Sequence, residues 1–115
     1  MGRILYITFD GITDPLGRSQ ILPYLAGLSK MGHTIHILSQ EKKDQFEREG
    51  GAVLELLKKY NIAWDHIDYK NKPPIIQPLI QRHTIKKWAE KIVATKTIDL
   101  VHCRSYMAGW VGLQI

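Results

Sequence analysis

The chain has 115 residues, 44% of them apolar and 23% charged, which is the size and make-up of a single soluble globular domain. No run approaches the roughly 18 to 20 apolar residues of a membrane-spanning helix, and the N-terminus leads straight into a strand-like segment, so the chain reads as soluble and unprocessed. The lone Cys103 excludes an internal disulfide and has no partner at zinc-ligand spacing, which fits a reducing, cytoplasmic setting and a small apolar core residue.

Arg3 to Phe9, RILYITF, is a β-branched and aromatic run closed by Asp10-Gly11 and predicts a buried first strand. After a loop to Gly17, the spacing of Ile21, Leu25 and Leu28 predicts an amphipathic helix capped by Gly32. Pro23 belongs in the first turn of that helix, which sets its start near Ser19 or Gln20. Thr34 to Ser39, TIHILS, is the second strand, and Val53, Leu54, Leu57 and Tyr60 mark a second helix. Gly50-Gly51 argues against extending this helix back through Phe46, because an interior glycine costs about 1 kcal/mol relative to alanine.

Ile62 to Tyr69 is a third strand, Lys70 to Pro74 a turn-rich break, and a longer helix shows Ile85, Trp88, Ala89 and Ile92 on one face. Ile98 to Cys103, IDLVHC, is the fourth strand, and Ser105 opens a last helix through Met107, Trp110 and Val111. Strand and helix alternate about every 30 residues, the period of a right-handed βαβ unit, which predicts an α/β Rossmann-like doubly wound parallel sheet in the order 3-2-1-4. The apolar ending Trp110, Val111, Leu113 and Ile115 is expected to pack on later strands and to make an isolated fragment self-associate.

The net charge of +5 is unevenly spread: Lys70 to Lys96 holds seven Lys or Arg against one acid, and the remainder sums to −1. Two accounts stand side by side, a solvated helix surface and attraction to an anionic partner such as a membrane surface or a phosphorylated ligand. No nucleic-acid motif is present.

Ligands of open α/β sheets sit beyond the carboxyl ends of the strands, here Asp10 to Ser19, Ser39 to Lys42, Tyr69 to Pro74 and His102 to Tyr106. Gly17-Arg18-Ser19 opens a helix and is a candidate phosphate contact. Neither G-x-G-x-x-G nor the P-loop G-x-x-x-x-G-K-[ST] occurs, which disfavours a nicotinamide enzyme and a nucleotide triphosphatase, and no cofactor is expected. The five histidines lack metal spacing and no metal is assigned; His33 and His36 read as structural, His66 and His83 as solvent-facing. His102 ends the fourth strand beside Arg104 and Ser105, where imidazole and guanidinium would meet a cleft.

RILYITF, the glycine-containing loop, the helix running into MGHTIHILS, and IDLVHCRSYMAG together resemble the N-terminal half of the retaining GT-B glycosyltransferases of family 4. The resemblance implies that residues 1–115 are an incomplete acceptor-side Rossmann-like domain. It would be inactive alone, because the acidic E-x7-E motif and the donor-binding loops belong to a second domain. Implied partners are a nucleotide-sugar donor and a carbohydrate or lipid-linked acceptor. Where many members carry Gly-Gly before the first helix this chain has Leu16-Gly17, and where many carry a second histidine it has Arg104, making Arg104 and Ser105 candidates for acceptor or phosphate contact. Gly17, Arg18, Ser19, His102, Arg104 and Ser105 are thus the candidate substrate-binding residues, and no catalytic residue is assigned.

Two other classes compete. A flavodoxin-like or receiver-like regulatory module would need acids clustered at the strand ends, and none is expected after Asp10 at the ends of strands two to four. A sugar-nucleotide epimerase would share the two-domain architecture.

Overall fold

The computed structural model describes residues 2–15, 17–69, 76–104 and 106–114, with the side chains of 106–108 and 114 excepted. The turn expected over Lys70 to Pro74, Leu16, Ser105 as the opening of the last helix, the Met107 side chain and Ile115 lie outside these residues.

Four strands, β1 (Arg3–Thr8), β2 (Thr34–Glu41), β3 (Ala63–Asp68) and β4 (Leu100–Arg104), form one sheet in the order β3-β2-β1-β4. Every pairing is parallel: β1 meets β2 with Ile4 opposite Ile35 and β4 with Ile4 opposite Leu100, and β2 meets β3 with His36 opposite Ala63. The molecule is therefore α/β with the Rossmann-like winding, and the order matches the one expected from the right-handed crossover rule. Residues 4–8 of β1 are buried on both faces, which is why its sequence is continuously apolar rather than alternating.

The four helices, α1 (Leu22–Lys30), α2 (Lys43–Lys59), α3 (Ile76–Thr95) and α4 (Tyr106–Gln114), divide between the two faces of the sheet. On one face Ile4, Tyr6, Ile35 and Ile37 meet Leu22 and Leu25 of α1 and Val53 and Leu57 of α2. On the other, Leu5, Ile7 and Leu38 meet Ile85, Ala89 and Ile92 of α3 and Val111 of α4. Val111 is fully buried there, so it is a core residue rather than part of an exposed ending, while Leu113 is 88% exposed. Trp88, expected among the core residues of α3, and Leu54 of α2 both lie exposed.

α1 and α2 each end in a Schellman motif. After α1, Gly32 has φ 96°, and the N–H groups of Gly32 and His33 donate to Ser29 (3.0 Å) and Leu28 (3.2 Å) carbonyls. After α2, Asn61 takes the same left-handed place at φ 56°, and Ile62 N–H donates to Leu57 O at 2.9 Å. These caps aim the chain into β2 and β3.

The strand ends shift by one or two residues from the sequence reading, with β2 running on to Glu41 and β4 starting at Leu100, and two helix starts differ. α1 is preceded by a single wide π-type turn, Gly17–Ile21; Pro23, in the first turn of α1, lacks the N–H an α-helix begun at Ser19 would require. α2 starts at Lys43 and runs through both glycines. Gly50 is buried against the Phe46 ring, where an added Cβ would lie 3.3 Å from it, and that ring stacks on His66 (4.3 Å) and Trp64 (5.5 Å). Packing of this aromatic cluster outweighs the intrinsic glycine cost.

Candidate functional site

The sheet winds in opposite directions from β1, toward β2 on one side and β4 on the other, so the crevice at the carboxyl ends of β1 and β4 is the topological switch point. Thr8 stands opposite Arg104 and Tyr6 opposite His102 across that pair. The first turn beyond β1 is tied locally, with Asp10 N–H donating to Thr8 Oγ1 (3.0 Å) and Thr8 Oγ1 donating to Asp10 O (3.1 Å). Asp10 Oδ2 then accepts from Arg104 Nε at 3.3 Å, joining the β1 and β4 loops.

His102 is half-buried under two phenol rings. Its centroid lies 4.8 Å from that of Tyr6 and 5.5 Å from that of Tyr24, and the Tyr24 hydroxyl is 3.4 Å from Nδ1. Burial pushes the Tyr6 hydroxyl above its ordinary value of 10.0, with the Arg104 guanidinium pulling the other way. Tyr6 is therefore a neutral hydroxyl beside a fixed cation. Above the buried Tyr6 the crevice presents a guanidinium, an imidazole and the exposed Tyr24 phenol, a set suited to donating hydrogen bonds to phosphate oxygens or sugar hydroxyls.

Gly17 is buried for a structural reason: an added Cβ would lie 2.6 Å from Ile12 Cα and 2.9 Å from its carbonyl carbon. The backbone of the β1–α1 loop itself fills the space at this glycine. Arg18 turns to the β2 side and pairs with Glu49 of α2 at 2.9 Å, both side chains being about two-fifths exposed. Arg18 and Ser19 line a depression of about 400 Å³ together with Thr13, Pro15, Gln45 and Glu49. The candidate residues thus form two groups on one edge of the sheet. Arg18 and Ser19 lie toward α2, and His102 and Arg104 lie over β4. Ser105 lies outside the described residues.

The loop between the two groups is held by a residue the sequence reading overlooked. Against the expectation of no acid at the later strand ends, β2 runs on to Glu41 and β3 closes at Asp68. Glu41 is fully buried, and its carboxylate accepts from Ile12 N–H (2.9 Å), Thr13 N–H (3.1 Å), Thr13 Oγ1 (2.6 Å) and Ser39 Oγ (2.5 Å). Its role is to shape the β1–α1 loop. Asp10, Tyr6 and Tyr24 also belong to the site; only Asp10, the first polar residue after an apolar strand, carries a sequence signal for it. Among the described residues no cluster of three or more His, Cys, Asp or Glu has the geometry to hold a metal.

The remaining histidines are structural or surface residues. His33 Nδ1 accepts from Gly2 N–H at 3.1 Å. His66 is not solvent-facing: it stacks on Phe46, with Nδ1 buried. His83 is exposed, as expected. His36, at the opposite edge of the sheet, lies between Asp65 (Nε2–Oδ2 2.7 Å) and the Lys96 ammonium (Nδ1–Nζ 2.8 Å), beside a depression of about 290 Å³. Burial, with Lys96 adding to it, holds this imidazole below its ordinary value of 6.5, although Asp65 acts in the opposite sense. In the neutral ring Nε2–H donates to Asp65 and Nδ1 accepts from Lys96. Burial likewise raises the Cys103 thiol, which rests against Gly112 of α4 and behaves as a core residue.

No helix among the described residues is long and apolar enough to cross a membrane. Comparison with protein-family models, with curated proteins and with solved structures gives no match for this chain.

Proposed function

We propose that this chain is the acceptor-side Rossmann-like domain of a glycosyltransferase that moves a sugar from a nucleotide-sugar donor to a carbohydrate or lipid-linked acceptor. The observation that carries the reading is the switch-point crevice, where Arg104 and His102 of β4 stand beside Tyr6, Asp10 and Tyr24. Asp10 engages only the Nε of a guanidinium that has further donors to offer. Such a fork suits diphosphate oxygens or sugar hydroxyls, and the flanking phenol and imidazole rings suit the apolar faces of a sugar. In this reading the domain contributes position and charge: it holds the acceptor in line and stabilises negative charge developing on the departing diphosphate.

The test is transfer by the full-length protein. Labelled UDP-, GDP- and ADP-sugars are offered with soluble and lipid-linked acceptors, and the product is identified by mass. Sugar transfer that falls with Arg104→Ala supports the reading. Interconversion of the nucleotide sugar without an acceptor would indicate an epimerase instead. A coding sequence with no second nucleotide-binding domain would refute the proposal outright.

A further inference from the structure

A second feature lies on the far side of the sheet from α1 and α2. α3 has apolar side chains on two opposite faces. Ile85, Ala89 and Ile92 enter the core, whereas Ile76, Leu79 and Ile80 face outward at 54%, 54% and 48% exposure. Apolar side chains on two opposite faces of a helix are normally both covered. Further along the outward face the residues become cationic, with Lys86, Lys87 and Lys91 beside exposed His83, and Glu90 is the one acid of α3. Two tryptophans edge this surface, each 36% exposed and each beneath a cation: Arg82 over Trp110 at 4.2 Å and Lys91 over Trp88 at 5.3 Å. The Arg82–Trp110 stack joins α4 to the surface, and α4 adds Leu113.

We propose that the outward face of α3, with Trp110 and Leu113 of α4, docks on an anionic lipid surface. The chemistry divides along the helix. Ile76, Leu79 and Ile80 suit the acyl boundary, Lys86, Lys87 and Lys91 suit lipid phosphates, and indole rings favour the zone between. A second copy of the chain is a poorer occupant, because a two-fold contact centred on Leu79 and Ile80 would leave Lys86, Lys87 and Lys91 without an anionic partner. Nucleic acid would satisfy the lysines and leave the three aliphatic side chains in water. The inference does not rest on the glycosyl-transfer reading, since vesicle binding is measured without donor or acceptor.

The experiment is co-sedimentation of the full-length protein with vesicles of phosphatidylcholine alone and of phosphatidylcholine with about one-third phosphatidylserine. Binding to the anionic vesicles only is expected, weakening as salt is raised. The triple variant Lys86→Glu/Lys87→Glu/Lys91→Glu should lose on the order of 100-fold in partitioning. The pair Leu79→Ser/Ile80→Ser should lose about 10-fold or more, with circular dichroism unchanged in both variants. Absence of binding at low salt, or equal binding by both variants, overturns the proposal. So does capture by heparin that the Leu79→Ser/Ile80→Ser pair leaves undiminished, which marks a soluble polyanion as the partner. Lipid-independent association that the same pair abolishes overturns it as well, marking a contact between copies.

Discussion

Arg104 and Asp10 meet across the sheet at 3.3 Å although they stand 94 positions apart. The parallel register of β1 and β4 brings them together, since Thr8 is opposite Arg104 and Asp10 follows two residues later. Both side chains are at least a third exposed, at 33% and 48%, so the pair itself contributes about 0–1 kcal/mol to stability. Arg104→Ala should therefore lower the melting temperature by only a few degrees. If the guanidinium also binds substrate, the same change removes about 1.5–3 kcal/mol of ligand interaction, or 10- to 150-fold in transfer. Asp10→Asn is the control. Parallel loss of melting temperature and activity in both variants would make Arg104 a loop fastener only.

Gly17→Ala should cost about 1–3 kcal/mol of stability, read as a lower midpoint in urea, because the new methyl group meets the Ile12 backbone at 2.6 Å. A glycine kept only for ligand approach would tolerate the change without loss of stability. An unchanged midpoint with weakened nucleotide binding would return Gly17 to the binding site.

Removing the buried Glu41 carboxylate strands its donors. Glu41→Ala leaves the N–H groups of Ile12 and Thr13 without their acceptor, at about 1–3 kcal/mol each, so a loss of about 3 kcal/mol or more is expected. Glu41→Gln keeps one acceptor oxygen but turns its NH₂ toward one of those two N–H groups, and should recover only part of the loss. Hydrogen exchange provides a local readout: Ile12 and Thr13 amides should lose protection in both variants before the core strands do.

Stability should also depend on His36 below neutral pH. The folded protein holds this imidazole below its ordinary 6.5, so the unfolded chain takes up the proton first. Its contribution is complete above about pH 6.5 and is lost as pH falls toward the folded value, because the unfolded state binds more protons in that window. Protonation would also set Nδ1–H against the Lys96 ammonium 2.8 Å away. Urea midpoints measured from pH 7.5 down to 5 should decline, and His36→Gln should flatten the part of the slope that His36 supplies. An identical slope in the variant would assign the effect to other groups.

Much of the fold is legible in the sequence because its signals are local. RILYITF and TIHILS are too apolar and β-branched to be anything but buried strands, and Gly32 marks the end of α1 by its left-handed backbone. Strand order then follows from crossover handedness. What stayed hidden depends on partners distant in sequence. α2 starts early because Phe46 packs on Trp64 and His66, and Glu41 looks like a loop acid until its Ile12 and Thr13 partners, 29 and 28 positions earlier, are seen. The candidate site divides similarly. His102 and Arg104 were readable as strand-end residues, but Tyr24 reaches His102 from 78 positions away, and Arg18 turns to Glu49.

The two cores differ in how much chain each requires, and this bears on the order of folding. The core beneath α1 and α2 draws only on residues between Ile4 and Trp64. The core beneath α3 and α4 takes Leu5, Ile7 and Leu38 from the other face of the same strands and closes only when Ile85 through Val111 arrive. As the chain leaves the ribosome, at about 5–20 residues per second, a three-stranded half-structure can consolidate several seconds before β4 exists. During that interval Leu5, Ile7 and Leu38 form a bare apolar strip, and one edge of β1 is unpaired. In that order β4 would pair with the free edge of β1 after β1 to β3 are in place, and would complete the crevice between them.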